Sequence, residues 1–189
     1  MNTPAHLIFG AAAFARPNQP RVTGAALAGA LMPDLSLYLM VGTSIYLLGI
    51  EPMRVFRELY YSDGWQQVFA IDNSFVLWGG LLALGIYHGH KVLVAFSGAA
   101  FLHLAFDFPL HNHDARMHFW PVSDWVFESP LSYWDRQYYA NAIGPLEVGV
   151  SLILCVLLWI RFRKILMRGF VAVLAAAEAM ASGIWQFIF

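Results

Sequence analysis

The chain is 189 residues long, 59% hydrophobic and only 12% charged, with a formal net charge of -1. A soluble domain carries about twice that share of charge, and a near-neutral chain has no basic face with which to bind nucleic acid. The single cysteine, Cys155, lies in an apolar run and reads as a packing residue, which excludes a disulfide framework and a thiolate metal site.

The first element predicted is a short apolar helix at 3–15. At 1.5 Å per residue it reaches only ~20 Å, a half-span rather than a crossing. No positive charge precedes its apolar core, so it does not read as a cleaved signal peptide, and the chain is expected to keep His6. Long apolar segments follow at about 22–50, 68–88, 92–110, 143–160 and 169–188. Runs of ~20 apolar residues match the thickness of a bilayer core. The expected fold is therefore all-α: a polytopic transmembrane helix bundle of about five spans plus the short N-terminal helix. No polar stretch is long enough for a second domain, so residues 1–189 form one integral membrane domain.

Basic residues set the orientation. Arg16 and Arg21, Lys91, and the group Arg161, Arg163, Lys164 and Arg168 alternate along the chain with two longer loops in which acids outnumber Arg and Lys. Loops 51–67 and 111–142 are thus expected outside and the basic turns in the cytoplasm. Segment 115–139 carries Trp120, Trp125, Trp134 and several Tyr and Phe. It reads as an aromatic belt at the interface, or as a lid over a site, and the two are compatible.

Each long span holds one or more acids: Asp34, Asp72, Asp107, Glu147 and Glu178, joined by the histidines His6 and His103. Ionisable groups in lipid are costly and usually face the bundle interior in a functional role. Counted from the cytoplasmic basic residues, His6 and Glu178 lie ~15 Å deep, His103 ~18 Å, Asp34 and Glu147 ~20 Å, and Asp72 and Asp107 ~24 Å. In a hydrocarbon core ~30 Å thick these seven share one slab, from the midplane to the outer leaflet. Taken singly, Asp72, Glu147 and Glu178 also read as polar contacts between helices.

His103 and Asp107 stand one helical turn apart on one face. Pro109 disfavours helix at Phe108 and is expected to end the span, which places His111, His113 and His118 on the loop just above. Imidazole and carboxylate at this spacing suit a divalent metal, zinc first. Pro33 removes a helical hydrogen bond in mid-span. Irregular backbone at that depth is tolerated where it lines a cavity, so Asp34 is expected at the edge of a site; the plainer reading is a proline kink.

Together these residues resemble a family of small bacterial inner-membrane proteins described as membrane-bound metal-dependent hydrolases, whose best-known branch is regulated by the SOS repressor. The matching features are Ala5-His6-Leu7-Ile8-Phe9-Gly10, Leu31-Met32-Pro33-Asp34, the H-x-x-x-D from His103 to Asp107, and Phe119-Trp120-Pro121. The family's P-D-x-D-H has Ser36 and Leu37 here in its last two places, and Asp72-Asn73-Ser74 stands where it has R-G-x-T-H-S. Either a loop histidine and Asp72 substitute, or the chain is a divergent member of altered activity. The resemblance implies a bacterial inner-membrane hydrolase. Combined with the residue reading, it implies a metal held by His6, Asp34, His103 and Asp107, with His111 as a loop ligand. Asp72 or Glu147 would serve as general base, and a membrane lipid or lipid-linked molecule as substrate. A proton- or ion-coupled transporter and a non-catalytic assembly protein are the alternatives. No protein partner is indicated.

Overall fold

The computed structural model describes the backbone of residues 1–188 and the side chains of 1–181. Helices α1 (Thr3–Phe14), α2 (Pro20–Gly42), α3 (Pro52–Arg54), α4 (Asp63–Asp72), α5 (Phe75–Tyr87), α6 (Lys91–Asp107), α7 (Ala140–Arg161) and α8 (Ile165–Ile188) follow in order, with no strand among the described residues. π-helical turns continue α2 over Thr43–Leu47 and α3 over Val55–Leu59. Pro4 and Pro20 fall in the first turns of α1 and α2, where a missing N–H is lost at no cost.

Pro20–Leu47, Asp63–Tyr87 and Ala140–Arg161 are long and apolar enough to cross a membrane, yet only 22%, 33% and 28% of their most apolar windows are buried. Apolar helices with so much bare surface need lipid around them. The chain is an integral membrane protein. Its half-length helix α1 is enclosed by the longer ones. Ile8, Ala11 and Ala15 pack against Cys155, Leu158 and Phe162 of the α7 end and Val171 and Leu174 of α8.

Small residues let the helices bearing the polar groups come close. A Cβ on Gly29 would fall 1.9 Å from the Phe96 carbonyl oxygen, and one on Gly98 2.6 Å from the Phe14 ring. Thus α2 and α6 meet backbone to backbone at Gly29, and α1 docks on α6 at Gly98. On the other face of α6, Trp78 of α5 packs on Ala100 and Leu104.

Two local expectations need correction. Helix α2 runs on through Pro33 without a break. The proline removes one hydrogen bond, and packing against α1 and α6 keeps the helix continuous across it. The interruption instead lies within 68–88, at Asn73–Ser74 between α4 and α5. Ser74 caps α5 by accepting from the Leu77 amide at 3.1 Å, and its hydroxyl donates to the Trp120 carbonyl at 2.5 Å. A loop carbonyl from far along the chain thus takes part in ending one helix and starting the next.

Candidate metal centre and its cavity

α6 ends at Asp107, just before Phe108 and Pro109, although Phe108 itself keeps helical dihedrals (φ -48°, ψ -46°) and its amide still donates to the Leu104 carbonyl. The Asp107 carboxylate is the hub of the site. One oxygen lies 2.9 Å from His6 Nε2 on α1; the other lies 3.1 Å from His103 Nε2 and 3.3 Å from His111 Nε2. Asp34 joins from α2, its Oδ1 3.6 Å from His103 Nε2. The amino-terminal ammonium of Met1 also donates to Asp107, at 2.5 Å. The five residues expected to hold a metal are therefore brought together from three helices and a loop.

The distances look like ion pairs, but the angles do not. None of the three Nε2 atoms makes an aligned hydrogen bond, and all are buried. Three imidazole nitrogens crowd one carboxylate without pointing at it, as ligands arranged around a common ion would. One donor atom each from His6, His103 and Asp107 lies within 4.8 Å of the others, close to the spread of atoms sharing a zinc at ~2.0–2.2 Å. The His6 and His103 rings are stacked 3.4 Å apart and nearly parallel. Binding through both nitrogens requires the rings to splay, since each lone pair lies in its ring plane.

The outer contacts fix which nitrogen is left for the site. His103 Nδ1 is 2.8 Å from the Ala30 carbonyl oxygen; a carbonyl only accepts, so Nδ1 carries a proton and, in the neutral ring, Nε2 holds the lone pair. The close α2–α6 approach at Gly29 makes this contact possible. His111 Nδ1 is 2.8 Å from Asp114 Oδ2, the carboxylate–histidine pairing that orients metal ligands. Burial opposes charge on His111, but Asp114 and then Asp107 outweigh it and raise its pKa to about 9. Burial likewise opposes the Asp114 anion, and His111 outweighs it, holding Asp114 down to about 2. His118 places Nδ1 3.0 Å from the Arg116 carbonyl; burial lowers its pKa to about 4 and keeps the ring neutral.

A cavity of about 260 Å³ opens beside the cluster, lined in part by Asp34, Tyr38, Tyr60, Asp107, His111 and Arg116. The Thr3 hydroxyl donates to Asp34 Oδ2 at 2.5 Å and lies 2.6 Å from the Tyr38 hydroxyl. The two expected bases are elsewhere. Asp72 ends α4 half-buried, directed toward Ser36, and Glu147 on α7 accepts from the Asn2 amide at 2.6 Å beside Glu178. Neither lines the cavity. His113 is exposed against Tyr138.

Asp114, Arg116, Tyr60 and Asn73 also line the cavity, and sequence reasoning did not single them out for it. An Asp three residues after a loop histidine was a readable signal for Asp114. Arg116 was an isolated cation in an aromatic loop, which points to burial against rings. Tyr60 and Asn73 carried no signal. The chain matches no protein-family model, no curated protein and no solved structure in the comparisons made; the site rests on its own geometry.

Proposed function

We propose that the chain is a membrane-embedded, metal-dependent hydrolase, a divergent relative of the bacterial inner-membrane hydrolases it resembles. The observation that carries this reading is the convergence of three buried, unbonded Nε2 atoms on the Asp107 carboxylate. His6, His103 and Asp107 would be the protein ligands, with His111 a fourth. Such an ion, zinc first, lowers the pKa of a bound water to ~7 and polarises the scissile bond. Asp34 takes the role of general base in place of Asp72 and Glu147. It borders the cavity, and its side chain is the most open of the cluster at 21% exposed. Its other oxygen is steadied by Thr3, so Oδ1 is left to accept a proton from water.

In this reading α6 and α8 also cross the membrane, giving five spans, and the two long loops face outward, away from the cytoplasm. Reporter fusions should place Arg163 inside and Trp125 outside; the reverse at both positions overturns the orientation and leaves the metal site untouched. A site near the outer leaflet, rimmed by aromatic residues, suits a lipid or lipid-linked substrate. Metal analysis of the purified protein tests the core of the proposal. One zinc or manganese per chain is expected, and a metal-free parent that acquires none on dialysis against zinc would move the reading to a transporter or an assembly protein.

A further inference from the structure

The same cavity is lined by a buried cation. Arg116 is 8% exposed. Its guanidinium lies 4.0 Å from the Phe69 ring centroid and 4.8 Å from that of Tyr60, and Nη2 donates to the Tyr60 hydroxyl at 2.6 Å. Nη1 is buried without a hydrogen-bond partner. Among the described residues no carboxylate comes within ion-pair distance of Arg116; Asp114 binds His111 and the Trp134 indole through Oδ2 and acts on Arg116 only across a longer gap. Aromatic faces hold a guanidinium in place, but they do not replace a counter-ion, and an unpaired buried charge is costly. Because the Tyr60 oxygen accepts from Arg116, its own O–H remains free to donate. Arg116 and Tyr60 both line the cavity that Asp107 and His111 line as well, and between them they hold one unpaired guanidinium nitrogen and one O–H free to donate.

We propose that Arg116 and Tyr60 form an oxyanion subsite for a phosphoryl group, which makes the substrate class a phosphate ester. A tetrahedral phosphoryl group has oxygens enough to take both donors and still turn one toward the Asp107 cluster, whereas a carboxylate would spend both of its oxygens on Arg116 and Tyr60. Arginine suits the task because its planar fork matches phosphate oxygens and its charge is permanent. The substrate assignment rests on the hydrolase reading; the anion subsite itself does not.

The test uses the full chain purified in detergent, with two separate readouts: metal content, and saturable binding of inorganic phosphate and of short-chain phosphatidic acid, with diacylglycerol as the uncharged control. The parent should bind at least one of the two phosphates and not diacylglycerol. Binding of phosphatidic acid alone assigns a lipid headgroup, and binding of inorganic phosphate assigns the phosphoryl group itself. R116M should weaken binding roughly 30-fold or more, as expected for removing one partner of a buried charge pair. R116K should recover part of it, and Y60F should lose less than R116M, all with metal content unchanged. R116K also guards against a folding defect, since it keeps the charge and the stem. Failure of the parent to bind either phosphate, or equal binding by parent and R116M, overturns the subsite. A parent that binds phosphate through Arg116 but takes up no metal sinks the hydrolase and leaves the subsite standing.

Discussion

The cavity has two walls built by different means. The helical wall presents Asp34 and Asp107 from α2 and α6, with His6 of α1 and His103 of α6 packed behind them, locked where Gly29 and Gly98 let backbones and rings touch. The loop wall presents His111, Asp114, Arg116 and His118 from a stretch without regular structure. That stretch is held by scattered contacts, such as the Asn112 side chain on the Ser129 carbonyl and the Ser129 hydroxyl on the Pro109 carbonyl. The helical wall concentrates negative charge and lone pairs; the loop wall carries the cation and the carboxylate that orients His111. Helix packing thus sets the chelating geometry, and the loop tunes and completes it. If so, substitutions at His6, His103 or Asp107 on the helical side should abolish metal binding, and substitutions at His111 or Asp114 on the loop side should grade it.

The largest effect is expected for His103→Ala and Asp107→Ala. Each removes a donor from the centre of the cluster, and Asp107→Ala removes the charge around which His6, His103 and His111 gather. Both variants should leave purification without metal. Parent-like metal content in both would mean that the ion binds elsewhere.

Asp114→Asn comes next and probes the loop wall. His111 stays in place but loses the carboxylate that orients it, and loss of such an outer contact typically costs 10–100-fold in metal affinity. The same pair predicts a pH signature in the metal-free protein. His111 is raised from 6.5 to about 9, so its stabilisation is full below 6.5 and is lost as pH rises through 9. Asp114 is lowered from 3.8 to about 2, so its contribution is present above 3.8 and fades as pH falls through 2. His118 has the opposite sign to His111: held near 4, it costs stability as pH falls from 6.5. The chelator-treated parent should therefore lose thermal stability between pH 6.5 and 9, and Asp114→Asn should flatten that limb. An identical slope in parent and variant would show that the pair does not carry the alkaline loss.

The division between walls also explains what could be read from the chain. Helical wall residues were legible because a helix converts spacing into geometry: a separation of four from His103 to Asp107 puts both on one face, and rise per residue brings His6 and Asp34 to nearby expected depths. The loop wall has no such ruler. His111 was reached only through its distance from Pro109, while Arg116 and Tyr60 meet by a fold-back over 56 residues that no periodicity encodes. Asp72 misled for a related reason. Depth was the only criterion for it, but rotation about the helix axis decides which way a side chain faces, and α4 ends at Asp72 with that group toward Ser36. Pro33 misled because a proline weakens a helix only where nothing else holds it, and α2 is held along its length by α1 and α6.

The smallest effects belong to the buried acids behind the helical wall, and here the two glutamates should part company. Glu147 Oε1 accepts from the Asn2 amide at 2.6 Å, so it tethers the residue just before α1 begins. His6 sits one turn further along the same helix. Removing that acceptor in Glu147→Ala frees the start of α1 and leaves a buried N–H short of a strong acceptor, which costs about 1–3 kcal/mol. The resulting play in His6 should lower metal affinity a few-fold. Glu178 is equally buried and faces Glu147 and the Asn2 side chain, but the Asn2 backbone amide goes to Glu147. Taking Glu178 away leaves the Asn2 amide on Glu147 Oε1, the contact that fixes the start of α1. Glu178→Ala is therefore expected to keep parent-like metal content and affinity. Metal titrations of the two variants side by side check the distinction: if Glu178→Ala loses as much as Glu147→Ala, the pair acts as one unit and the Asn2 tether does not set the position of His6.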